Sequence, residues 1–423
     1  MHISKNLKLK NGLEVWVSRL PNTHSVTVDL FVRSGVAYET SDKLGITHLL
    51  EHLIFRELQG FSQRELYFFM ESLGTTLKAV TYRDFLRFYL KVLPENAVNA
   101  MRIFKSILQT HSWSSDAFNA EKAVVKRQVI EDTVYNIDYL SRRLVFGENT
   151  FSDMIMGSEE TVDLISVNDV AAFKERCFNS NNMVLCIAGN ISDKQLSEMC
   201  RSLDDVSIIE GEKFTNSFVP KHFGKRKNNI HLENADWDMI DVDLCFDIDS
   251  SNITFDEVEL LNCILGEGVG SKLQEVLREN EHLTANISSL VDRYENFSVL
   301  HILFSTDCLY DALKQIVAVL NGMKYKIDES DLATSLPFYG NNLDFYLDDT
   351  EQLNFLNGYY GFVLNSEFKK SDLCNEDVVM NRLENISRQL FCTNNVSLTA
   401  LGKCNEIRKN EILKILNGLD ISF

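Results

Sequence analysis

Between Ser25 and Phe55 the apolar period of the chain changes. SVTVDLFVRSG, Ser25 to Gly35, alternates as a β-strand does, whereas from Gly45 to Phe55 the apolar residues fall at helical spacing. A strand therefore feeds a helix that bears three chemically capable side chains, His48, Glu51 and His52. A β-hairpin precedes them, because LKLKNGLEVWVSRL alternates on both sides of Asn11-Gly12, a favoured turn pair. Downstream, Ser62 with Glu65 three residues on predicts a capping box and a helix to about Leu73. Leu77 to Leu93 predicts a strand pair, Asn96 to Thr110 and Ser115 to about Val134 two further helices, and Met183 to Asn190 a buried closing strand.

At 423 residues the chain exceeds one ordinary core and suggests two or three units. Between about Asp204 and Lys227 the pattern gives way to charged and polar residues, with a basic patch from Lys221 to Lys227. The expected division is an N-terminal domain over 1–205, a linker over 206–228 and a C-terminal domain over 229–423. The second half restarts in the same style. A strand is expected around Asp241 to Asp247, a helix from Thr254 to Leu265, a helix through Arg278, and strands at Ile287 to Val291 and Val299 to Ser305. This succession suggests duplication, although residue identity between the halves is too low to count as a repeat. Gly266, Gly268 and Gly270 sit between two helices with no Lys-Ser or Lys-Thr after them, so they fit a close helix-to-helix turn and not a phosphate loop.

Forty-two Lys and Arg against 61 Asp and Glu give a formal charge of −19, which argues against nucleic acid and suits either a basic peptide or plain solubility. No run approaches the about 18 apolar residues of a membrane span, and the N-terminal stretch lacks the apolar core of a secretion signal. The nine Cys lie between Cys177 and Cys404 without a C-x-x-C pair, which fits neither a disulfide framework nor a zinc ribbon. The expectation is a globular cytoplasmic protein with reduced thiols.

His48, Glu51 and His52 form H-x-x-E-H. On a helix the two His are one turn apart on one face, the spacing that places two imidazole nitrogens on one zinc ion. Glu51 is beside them without being needed as a ligand, so it can take the proton of a zinc-activated water and pass it to a leaving amine. The bland alternative is an amphipathic helix whose polar face meets only solvent.

The surrounding text resembles the pitrilysin-type (inverzincin) zinc metallopeptidases. The resemblance runs through Asn11-Gly12, Gly35, Gly45 to Phe55, Glu71 to Gly74, Ala79 to Thr81, Lys91 to Asn96, Gly157 to Phe178 and Ala188 to Asn190, and continues as LLNCILGEGVGSKLQEVLRE, Leu260 to Glu279. It implies an α+β fold of two tandem homologous α/β domains, each an antiparallel-rich sheet with helices packed on one face. It also implies a Zn2+ cofactor and a peptide substrate that adds to a sheet edge near Leu77 to Thr81, with Ala79 in the substrate-binding stretch. Short, processing-peptidase-like members work as pairs of homologous subunits, so a homologous partner is implied, in a heterodimer or a homodimer.

Two positions depart from the family pattern. The supporting acid is present as Glu121, but the third ligand position, seven residues on, is Gln128 where the family has Glu. An amide keeps the oxygen donor and loses a negative charge, so an ion should bind more weakly. Glu131, one turn further and about 60° around the helix, is the alternative ligand, and an empty site is the third outcome. In the second half Arg278 matches a substrate-binding Arg, whereas the family's partner Tyr is replaced by Ala285. The reading is the zinc-motif subunit of a dimeric endopeptidase, with His48, His52 and Gln128 as ligands, Glu51 as general base and Glu121 in support. A non-catalytic homologue serving as scaffold or peptide-binding subunit is the alternative.

Overall fold

The computed structural model describes residues 3–132, 136–216, 218–220, 223–226, 229–249, 253–366 and 376–420. Val134, the expected end of the fourth helix, and Lys221 and Lys227 of the basic patch lie outside the described residues. The first half contains β1 (Lys5–Lys8), β2 (Glu14–Arg19), β3 (Val26–Val32), α1 (Ile46–Arg56), the short pair β4 (Glu57–Leu58) and β5 (Phe61–Ser62), α2 (Gln63–Ser72), β6 (Lys78–Thr81), β7 (Leu86–Val92), α3 (Ala97–Leu108), α4 (Ser115–Asp132), α5 (Ile137–Phe146), α6 (Glu159–Leu164), α7 (Val167–Cys177), β8 (Met183–Gly189) and α8 (Asp193–Leu203). The second contains β9 (Asn229–Asn234), β10 (Ile240–Ile248), α9 (Phe255–Leu265), β11 (Ile287–Arg293), β12 (Ser298–Thr306), α10 (Leu309–Tyr325), α11 (Glu329–Asp348), α12 (Thr350–Leu356), α13 (Glu376–Leu390), β13 (Val396–Gly402) and α14 (Lys409–Leu416).

Two compact units form, and they are discontinuous in sequence. One comprises Met1–Val134, Asn149–Asn216 and Asp344–Lys369; the other comprises Tyr135–Glu148, Ser217–Leu343 and Lys370–Phe423. The expected single cut with its linker over 206–228 does not describe them. Each half lends the other a segment: α5 packs on β9, β10 and β13, while α12 packs on β3 and β8.

The two sheets repeat one topology. The first runs β1-β2-β8-β3-β7-β6 and the second β9-β13-β10-β12-β11 when read from its parallel edge. In each, one pair is parallel, β2 with β8 and β9 with β13, and the other pairings are antiparallel. The register repeats as well. Val26 lies opposite Val92 and Gly189, and Ile240 lies opposite Thr306 and Gly402. Gly189 and Gly402 carry φ of 136° and 140°, and a Cβ on either would approach the Ser25 or Met239 carbonyl oxygen to 2.2 Å. The duplication suggested by the succession of elements is thus a register-for-register duplication of the sheet.

Strand alternation then decides which side chains meet helices. In the first unit Val26, Val28, Leu30 and Val32 enter the main core with Leu49 and Leu53 of α1 and Met101 and Phe104 of α3. The opposite face holds Trp16, Phe31, Phe85, Val184 and Cys186, covered by Phe362 and Val363 after α12. Asp29 and Arg87 are buried on that face, with Arg87 Nε and Nη2 donating to Asp29 Oδ1 at 3.0 Å and Oδ2 at 2.6 Å. In the second unit Val242, Leu244, Phe246 and Ile248 enter the core with α9 and α10. Their alternates Asp243, Cys245 and Asp247 are buried on the other face.

Candidate metal centre

Helix α1 buries Ile46, Leu49, Leu50, Leu53 and Ile54, the i, i+3, i+4, i+7, i+8 stripe that fixes its roll against the sheet. His48, Glu51 and His52 therefore share the remaining side. Both ends of the helix are tied. At the N-terminus the buried Glu39 carboxylate accepts from the backbone N–H of Gly45 at 2.7 Å and of Thr47 at 2.9 Å. Gly45 has φ 91°, and a Cβ there would lie 2.3 Å from the Met156 carbonyl oxygen, so only glycine lets the chain enter α1 at this angle. At the C-terminus the Trp113 indole N–H donates to the carbonyls of Leu53 at 3.1 Å and Glu57 at 3.0 Å.

Helix α4 supplies the facing side chains. It turns Phe118, Glu121, Val125 and Val129 inward, and Gln128, seven residues from Glu121, points along nearly the same direction. His52 Nδ1–H donates to Glu121 Oε2 at 3.2 Å, which leaves the His52 Nε2 lone pair available. His48 Nε2 and Gln128 Oε1 are 3.0 Å apart, and the two imidazole rings lie edge to face with centroids 4.7 Å apart. Arg56 Nε stands 3.8 Å from the second oxygen of Glu121. Glu51 Oε2 accepts a hydrogen bond from the Thr81 hydroxyl at the end of β6 and lies 3.9 Å from His48 Nδ1.

Charge is unevenly shared. Burial opposes a proton on His48, but Glu51, Gln128 and Glu39 together outweigh it and raise the affinity of His48 for one. His52 shifts the other way, since burial and the neighbouring His48 outweigh Glu121 and Glu51. Burial pushes Glu51 up, yet His48, Thr81 and His52 overcome it and hold the carboxyl below its usual range. Glu51 is thus ionised, and His52 is a neutral imidazole with a fixed tautomer.

The donor set suits a zinc ion. With bonds of about 2.0–2.1 Å, tetrahedral ligand atoms stand about 3.3 Å apart, so His48 Nε2 and Gln128 Oε1 would need to open by only a few tenths of an ångström. Glu131 is exposed, in contrast to Gln128. The other expected positions lie elsewhere. Ala79 is partly buried on β6, whose outer edge carries no strand pairing among the described residues. In the second unit Arg278 is exposed on a π-helical turn, Gln274–Asn280, beside Glu279 at 3.5 Å, and Ala285 is exposed too. The glycines at 266–270 form the expected link between helical segments.

Glu39, Trp113 and the contact of Thr81 with Glu51 escaped the sequence reading. Glu39 caps from six residues before Gly45, outside any capping-box spacing, and Trp113 and Thr81 reach α1 from distant elements. Only the register of β6 beside α1 could have suggested Thr81.

Residues 14–146 match the family model described as insulinase (peptidase family M16), and residues 164–336 match that described as the peptidase M16 inactive domain. An uncharacterised zinc protease of Bacillus subtilis is 24% identical over 405 residues, covering 92% of this chain and 95% of that protein. An uncharacterised zinc protease of Rickettsia felis is 26% identical, with 77% and 79% covered. The mitochondrial-processing peptidase subunit beta of Saccharomyces cerevisiae is 29% identical over 197 residues, 46% of this chain and 42% of that one. Among solved structures, a protease from Helicobacter pylori superposes with a TM-score of 0.81 at 20% identity, covering 94% and 99% of the two chains, which shows a shared fold. With both of the family's domain types present in order and relatives named as zinc proteases along most of its length, this chain belongs to the pitrilysin-type M16 (insulinase) peptidase family.

Proposed function

We propose that the chain is the zinc-motif subunit of a peptidase that cleaves peptides or leader segments together with a homologous subunit. One observation carries the reading: the Glu51 carboxyl is held between His48 and Thr81, next to a sheet edge that no described strand covers. His48, His52 and Gln128 would hold the ion, which when bound supplies a Lewis acid that acidifies water. Glu51 takes the proton of the attacking water and returns it to the leaving amine. Thr81 orients that carboxylate, and Glu121 keeps the His52 proton on Nδ1. An extended peptide would pair with β6 beside Ala79, where backbone hydrogen bonds give affinity with little sequence demand.

Arg278 would contact substrate in the second unit, and Ala285 leaves the family's Tyr to be supplied by the partner in a heterodimeric chamber. Cytoplasmic placement belongs to the same proposal. The eight cysteines among the described residues are free thiols, and no helix of the described residues is long and apolar enough to cross a membrane. A second reading is a non-catalytic scaffold or peptide-binding subunit, favoured by an amide at position 128 and by Ala285. Glu51→Gln separates them. The variant should keep its zinc and lose peptide cleavage, normal turnover by it would remove Glu51 from the chemistry, and a zinc-free wild type that never cleaves beside its partner would establish the scaffold.

A further inference from the structure

The repeated register of the two sheets allows position-by-position comparison of their outer faces. Asp29 in β3 corresponds to Asp243 in β10, Phe31 to Cys245, Arg87 in β7 to His301 in β12, and Cys186 in β8 to Thr399 in β13. In the first unit this place is a plain structural ion pair. The Arg87 fork clasps Asp29, and its guanidinium lies over Tyr89 at 3.9 Å and Phe355 at 5.1 Å. In the second unit the ring and the guanidinium are exchanged for a thiol and an imidazole, the two side chains that with a carboxylate make a transition-metal donor set.

We propose that Asp243, Cys245 and His301 form a second, structural metal site for a thiophilic divalent cation such as Zn2+, separate from the site on α1. His301 Nδ1 lies 3.0 and 3.1 Å from the Asp243 oxygens and 3.4 Å from Cys245 Sγ. Among the described residues these are the one group of three His, Cys, Asp or Glu donor atoms that all come within 4.8 Å of one another. Ser141 of α5 places Oγ 3.2 Å from Cys245 Sγ and offers a fourth donor. All three side chains are buried.

A second observation points to a ligand here. Thr399, directly across the ladder from Asp243 and fully buried, has no hydrogen-bond partner for Oγ1 among the described residues, and a buried polar atom of this kind calls for an ion or water. His301 Nε2 likewise has no hydrogen bond among the described residues, with Asp292 Oδ2 3.7 Å away. A carboxylate on the far nitrogen is the usual companion of a metal-bound imidazole. Charge also balances. A divalent cation would meet one thiolate, one carboxylate and one neutral imidazole away from solvent, a donor set of no net charge with the ion in place. The thiolate favours zinc or cobalt over calcium or magnesium.

Cobalt substitution tests this in the full chain, because the α1 site contains no sulfur. Co2+ at one equivalent should give a thiolate-to-cobalt charge-transfer band in the His48→Ala/His52→Ala double variant, and Cys245→Ser should abolish it. Zinc-loaded double variant should likewise retain about one Zn2+ per chain after gel filtration. Absence of the band in the double variant, which leaves the second unit untouched, overturns the proposal whether or not Cys245→Ser folds. A band that survives Cys245→Ser belongs to another thiol, such as the exposed Cys308, and overturns it too.

Discussion

Lys174 is buried on α7 in the first unit, with Nζ donating to the Gln109 carbonyl at 2.7 Å and lying 5.7 Å from the Trp113 ring centre. Since Trp113 caps the last carbonyls of α1, this ammonium stands behind the metal-motif helix. Burial pulls its pKa down from 10.5 to about 8. A depressed lysine pKa means that the fold resists the charged form, so stability is full above about pH 10.5 and is lost as pH falls through about 8. The difference of about 2.5 units corresponds to roughly 3 kcal/mol at pH 7. Lys174→Met removes this cost and forfeits one hydrogen bond, worth about 1 kcal/mol. The variant should therefore be about 2 kcal/mol more stable than wild type at pH 7, and the advantage should shrink by about 2 kcal/mol by pH 9.5. Urea unfolding followed through Trp16 and Trp113 in a Trp237→Phe background measures it. A difference that does not change with pH would refute the charge argument, and a variant uniformly less stable would show that the ammonium is well solvated in the fold.

Gln128→Glu should tighten zinc at least 10-fold in chelator competition at pH 7.5, while Glu131→Gln changes little; the reverse pattern would make Glu131 the working ligand. Glu121→Gln, by loosening the His52 tautomer, should weaken zinc on the order of 10–100-fold without unfolding the chain, as circular dichroism would register. Alone the chain should cleave peptides poorly, and a homologous subunit bearing the Arg and Tyr should raise the rate on the order of 100-fold, so full activity of the pure chain would remove the need for a partner.

What the amino-acid order reveals here is governed by distance along the chain. The hairpin at Asn11-Gly12, the Ser62–Glu65 capping box and the His48-Glu51-His52 face are local, with spacings set by one turn or one helix repeat, and each stands in the structure where its pattern implies. The meeting of α1 with Glu121 and Gln128 is not local, and it came from family resemblance rather than from spacing. Glu39 and Trp113 had neither signal, and Thr81 lay in a resembling stretch that gave it no role beside Glu51: each acts on α1 through a loop or a strand whose path depends on packing. The exchanged helices are hidden for a related reason. An amphipathic pattern states that α5 and α12 bury a face and does not state against which sheet. Strand register is hidden most completely, because pairing is made by backbone groups that every sequence possesses. Asp243 and Cys245 lie two apart on one strand, and His301 joins them across 56 residues because it pairs with Cys245. Residues that the sequence shows only within two expected strands, Asp241 to Asp247 and Val299 to Ser305, are therefore the ones that a duplicated register turns into a donor cluster, and the matching Asp29 and Arg87 show how little substitution separates a structural ion pair from a candidate metal site.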